Sequence, residues 1–139
     1  MRPAPIVAAC IGAAGAMLGA CADSAPAQCP SGGELEVSET LYFGAAKPGG
    51  GAVTREEWDR FVGEVVTPRF PGGFTQWDAS GRWKAADGAV VHEATHVLAI
   101  VHPPGPQSEA KVRAIASEYK SRFHQEAVLR VRSPACAWF

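Results

Sequence analysis

Residues 6–18 form one unbroken apolar run behind Arg2, and beyond it the chain settles into alternating and helical patterns that continue to its end. The thirteen positions of that run hold only Ile, Val, Ala, Gly, Met, Leu and one Cys. This suits the h-region of a secretory signal and is too short to cross a bilayer as a finished helix. Further on, Leu35, Val37, Leu41 and Phe43 share one parity, interrupted at Glu39. They predict a strand over residues 35–44 with Leu41 and Phe43 toward the core and Thr40 and Tyr42 on the other face. Thr54 followed by Glu57 is a capping box, after which Trp58, Phe61, Val62, Val65 and Val66 recur at helical spacing until Thr67-Pro68 stops the helix.

Residues 74–84 read as a second strand, bent at Ser80-Gly81, and Asp87-Gly88 is a turn signal after it. Residues 97–101 carry apolar side chains on both parities and end at His102-Pro103-Pro104, which suits a central strand covered on both faces. Ser108 is placed to cap a second helix with Val112, Ile115, Ala116, Tyr119 and Phe123 as its buried stripe. Lys111, Arg113, Lys120 and Arg122 form its solvated face. Residues 128–139 close the chain as a strand. The order strand, helix, strand, strand, helix, strand predicts a ferredoxin-like α+β sandwich, a βαββαβ fold with two helices on one face of a four-stranded antiparallel sheet.

Composition fixes the compartment rather than the chemistry. Leu18-Gly19-Ala20-Cys21 resembles the lipobox of bacterial lipoproteins, which implies cleavage before Cys21 and a lipid on its thiol; the alternative is an ordinary signal cut after Ala25-Pro26-Ala27. The expected organisation is a signal peptide over residues 1–20, a small and polar tether over 21–33, and a single α+β domain over 34–139. The whole chain carries a net charge of −1, and removing residues 1–20 takes away Arg2 alone among the charged side chains, so nucleic acid is not an expected partner. Cys10 leaves with the signal and Cys21 is the expected lipid attachment, which leaves Cys29 and Cys136 as a pair in an oxidising compartment. A disulfide between them is favoured over two buried thiols. In the predicted topology the last strand lies antiparallel beside the first, which brings Cys136 within reach of Cys29.

One motif carries sharper chemistry. His92-Glu93-Ala94-Thr95-His96 satisfies HExxH, and His102 stands where the longer metzincin pattern places a third ligand. On a helix, His92 and His96 would share a zinc with Glu93 as general base. Against this, the metzincin turn glycine is Ala99 here, and no methionine follows Met17 to form a Met-turn. On a strand the two histidines stand roughly 13 Å apart and share no ion. No metal or other cofactor is therefore expected. Elsewhere Thr40, Tyr42, Arg130 and Arg132 form a candidate set for the sheet face opposite the helices, a usual place for ligands in this fold, with plain surface or dimer-facing side chains as the preferred reading.

Several blocks carry a wider resemblance. Glu39-Thr40-Leu41-Tyr42-Phe43-Gly44, the stretch from Val65-Val66 through Pro68-Arg69-Phe70 to Gly72-Gly73, Tyr119-Lys120 through Val128-Leu129-Arg130-Val131, and the closing Ser133-Pro134-Ala135-Cys136 resemble a bacterial secreted family called domain of unknown function 3574. The resemblance implies that HExxH is a local variation and brings no functional residues with it. The reading is an exported, lipid-anchored domain on a bacterial membrane, with a binding or envelope-associated role preferred over catalysis and a soluble secreted form as the alternative. Two other readings stay open: a small zinc metallopeptidase using His92, Glu93, His96 and His102, and a dimeric α+β barrel that binds or transforms a small ligand between paired sheets.

Overall fold

The computed structural model describes residues 28–84 and 87–139; the expected signal peptide, the expected lipid attachment at Cys21 and most of the expected tether lie outside the described residues. Four strands and two helices follow in the order β1 (Glu34–Gly44), α1 (Arg55–Phe61), β2 (Thr75–Lys84), β3 (Val90–His102), α2 (Pro106–Phe123) and β4 (Leu129–Ala137). The sheet order is β2-β3-β1-β4 with every neighbouring pair antiparallel. This is the ferredoxin-like α+β sandwich that the element order predicts.

Period-two alternation builds β1. Val37, Glu39, Leu41 and Phe43 are buried toward the helices, while Ser38, Thr40 and Tyr42 face away and are half-buried. Thr54 caps α1 as expected: its hydroxyl accepts from Glu57 N–H at 3.2 Å, and Glu57 accepts from Thr54 N–H at 2.9 Å. The helix then widens into a π turn over Val62–Val66, where Thr67 N–H reaches back to Val62 C=O at 2.9 Å. Trp58, Phe61, Val62, Val65 and Val66 are all buried by it. α2 is capped three residues ahead of the expected Ser108: Gly105 is the N-cap at φ 139° and Pro106 opens the helix, where its missing N–H costs nothing. Ser108 therefore sits in the first turn and caps nothing.

The core is aromatic at its centre. Phe43 meets Tyr119 at 4.7 Å and Trp58 at 5.3 Å between ring centroids, and Phe61 meets Tyr119 at 5.2 Å. Cys29 and Cys136 are joined, with Cα atoms 5.6 Å apart. The bond forms because β1 and β4 are paired with Leu35 opposite Cys136, and the turn from Pro30 to Gly33 folds Cys29 back over that pair. Gly33 lets the Trp138 ring lie against the turn, since a Cβ there would come within 2.7 Å of it.

Candidate functional site

The HExxH segment is part of β3, hydrogen-bonded to β1 on one side and β2 on the other. The helix needed for zinc coordination does not form, and the histidines have separate partners. His96 stacks on Trp58 with centroids 4.5 Å apart and holds Asp78 at 2.7 Å through Nδ1, while Asp78 also accepts from Arg55 at 3.1 Å. His102 lies at the far end of β3, its Nε2 3.2 Å from Glu39 and its Nδ1 2.9 Å from Pro103 C=O. His92 is exposed, opposite Arg82. Among the described residues no three His, Cys, Asp or Glu side chains are grouped to hold a metal.

Arg130 and Arg132 correct the expectation for the open sheet face. The register sets Arg130 opposite Leu41 and Arg132 opposite Glu39, so both point toward the helices. The cause is Glu39, a fully buried carboxylate on β1 that needs a counter-charge. Arg130 Nε donates to Glu39 at 2.6 Å, its two terminal nitrogens reach Glu109 of α2 at 3.1 and 3.0 Å, and Arg132 reaches the same carboxylate at 3.1 Å. The Arg130 hydrogen bonds hold the Glu109 carboxyl below its ordinary range. Turning the arginines inward turns Leu129 and Val131 outward, onto the face that Thr40 and Tyr42 do occupy.

At the Gly44 end of that uncovered face lies a groove of about 880 Å³, in the size range of small-molecule sites. Tyr42, Trp83, Val91 and Leu129 give it apolar walls, and Glu93 stands among them. Glu93 is half-buried, and its Oε1 accepts from Ala46 N–H at 3.1 Å. Gly44 makes room for it. A Cβ on Gly44 would lie 2.8 Å from the Glu93 carboxyl carbon, and Gly81 stands directly across from Glu93 on β2.

The backbone beside Glu93 is fixed at each polar group. Tyr119 Oη donates to Gly44 C=O at 2.9 Å, Ala45 N–H to Ala94 C=O at 2.8 Å, and Gln125 Nε2 to Ala46 C=O at 2.6 Å. Burial, and then the charge of Glu93, push the Tyr119 phenol well above its ordinary value, so it stays a donor. The arrangement presents a carboxylate of set orientation against aromatic and aliphatic walls. It can accept a hydrogen bond from a ligand amino, hydroxyl or N–H group while the walls cover a flat apolar body.

A family profile described as a protein of unknown function, DUF3574, matches residues 38–139. The chain belongs to DUF3574. No curated protein matches this DUF3574 chain in sequence. Among solved structures it is similar to a phage SAM lyase in complex with S-methyl-5'-thioadenosine, at 18% identity and a TM-score of 0.53 over 84% of this chain and 97% of that one. The phage SAM lyase in its apo state gives 19% identity and a TM-score of 0.50 over 83% and 97%. At such identities the likeness is one of fold.

The groove of the DUF3574 domain was missed as a unit in the sequence because HExxH assigns Glu93 a different part. Its signal was the pair of glycines at Gly44 and Gly81, each in or ending a strand, where a missing side chain marks close approach.

Proposed function

We propose that this DUF3574 domain is an exported, lipid-anchored binding module that holds a small organic ligand in the Glu93 groove. The observation that carries the reading is Glu93 itself. It is a half-buried carboxylate, set by one backbone N–H and packed over Gly44, opening on about 880 Å³ of aromatic and aliphatic lining. Such a site selects a planar apolar body that carries a hydrogen-bond donor. Export and anchoring are supported by the apolar run at residues 6–18 and the lipobox-like Leu18-Gly19-Ala20-Cys21.

S-methyl-5'-thioadenosine, which the phage lyase of similar fold holds, is the first probe. Its purine offers a plate for Trp83 and an exocyclic amino group for Glu93. In calorimetric titration, saturable one-to-one binding is expected, and Glu93→Gln and Trp83→Ala should each weaken it by about tenfold, the order of a charge-assisted hydrogen bond or a stacked base. Binding that ignores both substitutions, or no binding by this nucleoside and by a panel of aromatic amines, would remove the assignment. For the anchor, Cys21→Ser should move the protein from the membrane to the soluble fraction. An unlipidated wild-type terminus at Gln28 would defeat that part.

A further inference from the structure

We infer that a second copy of this chain covers the open face of the sheet, and that its face roofs the Glu93 groove. The register places Trp77 beside Val97, Val97 beside Tyr42, and Tyr42 beside Leu129, so one aromatic and aliphatic row crosses all four strands. The next row runs Thr75, Ala99, Thr40, Val131. Scattered apolar side chains are ordinary on a surface, but a continuous row across a whole sheet is not. Exposure in the single chain is 45% at Trp77, 54% at Trp83, 61% at Leu129 and 51% at Val131, while Val97 in the middle of the row is fully buried by its neighbours.

Self-complementarity singles out a copy as the occupant. A two-fold interface sets one patch against itself, so like charges inside it would repel. Between Glu36 and Glu93 the polar groups of this face are Ser38, Thr40, Tyr42, Thr75, Thr95 and Ser133, all hydroxyls, which both donate and accept. The area fits as well. Four strands about 4.8 Å apart and roughly 11 residues long at about 3.3 Å each present about 700 Å², close to the ~800 Å² that each partner buries in a standard interface. The tether is a poor substitute, because residues 22–28 (Ala, Asp, Ser, Ala, Pro, Ala, Gln) contain no large apolar side chain to meet the row. Packed sheets lie about 10 Å apart, which brings the facing copy over the groove beside Trp83 and converts an open trough into an enclosed site.

The roofing part of this inference rests on the ligand reading above; the pairing of copies does not. Sedimentation velocity on the purified full chain should give a dimer at micromolar concentration, with tryptophan emission shifting to the blue as Trp77 and Trp83 leave water. Val131→Glu and, independently, Trp77→Lys lie outside the groove lining and should each give a folded monomer with the disulfide intact. A wild-type monomer throughout, or dimers that survive both substitutions, would overturn the pairing. Unchanged affinity for S-methyl-5'-thioadenosine in a monomeric variant would overturn the roof and keep the groove. A dimer that binds no probe would overturn the ligand reading and keep the interface.

Discussion

Removing the disulfide tests how much of the stability is covalent. Cys29 and Cys136 are 107 positions apart, so the bond closes a loop over nearly the entire domain. The chain-entropy relation for a loop of that length gives about 16 cal/mol/K, or about 4.8 kcal/mol at 25 °C, lost from the unfolded state when the link is present. Small domains hold only about 5–15 kcal/mol in total, so this is a large share. The folded state should change little, because Leu35 remains paired opposite position 136 and the Pro30–Gly33 turn has its own backbone hydrogen bond. In urea unfolding, the double variant Cys29→Ala/Cys136→Ala should be about 3–5 kcal/mol less stable than the oxidised protein, with a steeper denaturant dependence because the unlinked chain exposes more surface. A loss below about 1 kcal/mol with an unchanged slope would refute the reasoning, since it would mean that the link constrains nothing the unfolded chain explores.

Glu39→Ala strips the buried counter-charge from Arg130 and a hydrogen-bond partner from His102, and should cost about 3–5 kcal/mol in the same assay; a loss under about 1 kcal/mol would show that water replaces the carboxylate. Glu109 has its folded value held down by Arg130, so its contribution is present above the unfolded carboxylate value and is lost as pH falls through the depressed one. Acid titration of stability should accordingly be shallower in Glu109→Gln, and an identical acid limb would sink the assignment. Gly44→Ala drives a methyl against the end of the flexible Glu93 side chain, so the protein should keep most of its stability while Glu93 swings off Ala46 and ligand affinity falls. Full affinity in Gly44→Ala would count against Glu93 as the recognition group.

Much of the architecture was legible where a signal is local. Leu41 and Phe43 with their alternation, the Thr54 and Glu57 box, and the stripe from Val112 to Phe123 each depend on neighbours within a turn or two, and each formed as the pattern predicts. The misreadings concern groups whose environment is set from afar. Arg130 and Arg132 face inward because of Glu39, which sits 91 residues from Arg130 and joins it only through the β1–β4 register. The π turn after Phe61 keeps the same buried side chains as an α-helix, so periodicity is blind to it. HExxH fits a helix or a strand by spacing alone, and pairing of residues 90–102 with two neighbouring strands decides for the strand. The groove draws on Gly44, Gly81 and Glu93, which come from three strands and share no local motif.

The bond between Cys29 and Cys136 also decides how the domain carries mechanical load. Tension applied between the segment ahead of Cys29 and the chain's end at Phe139 passes through the sulfurs, because the 107-residue loop hangs outside that path. The sheet stays slack while that preceding segment is pulled taut. A pull between the segment ahead of Cys29 and something gripping the uncovered face instead enters β1 and β4 together, two bonded neighbours loaded side by side. Because both strands are drawn the same way, the ladder between β1 and β3 takes the shear and its hydrogen bonds must fail as a group, whereas a reduced chain would load β1 alone.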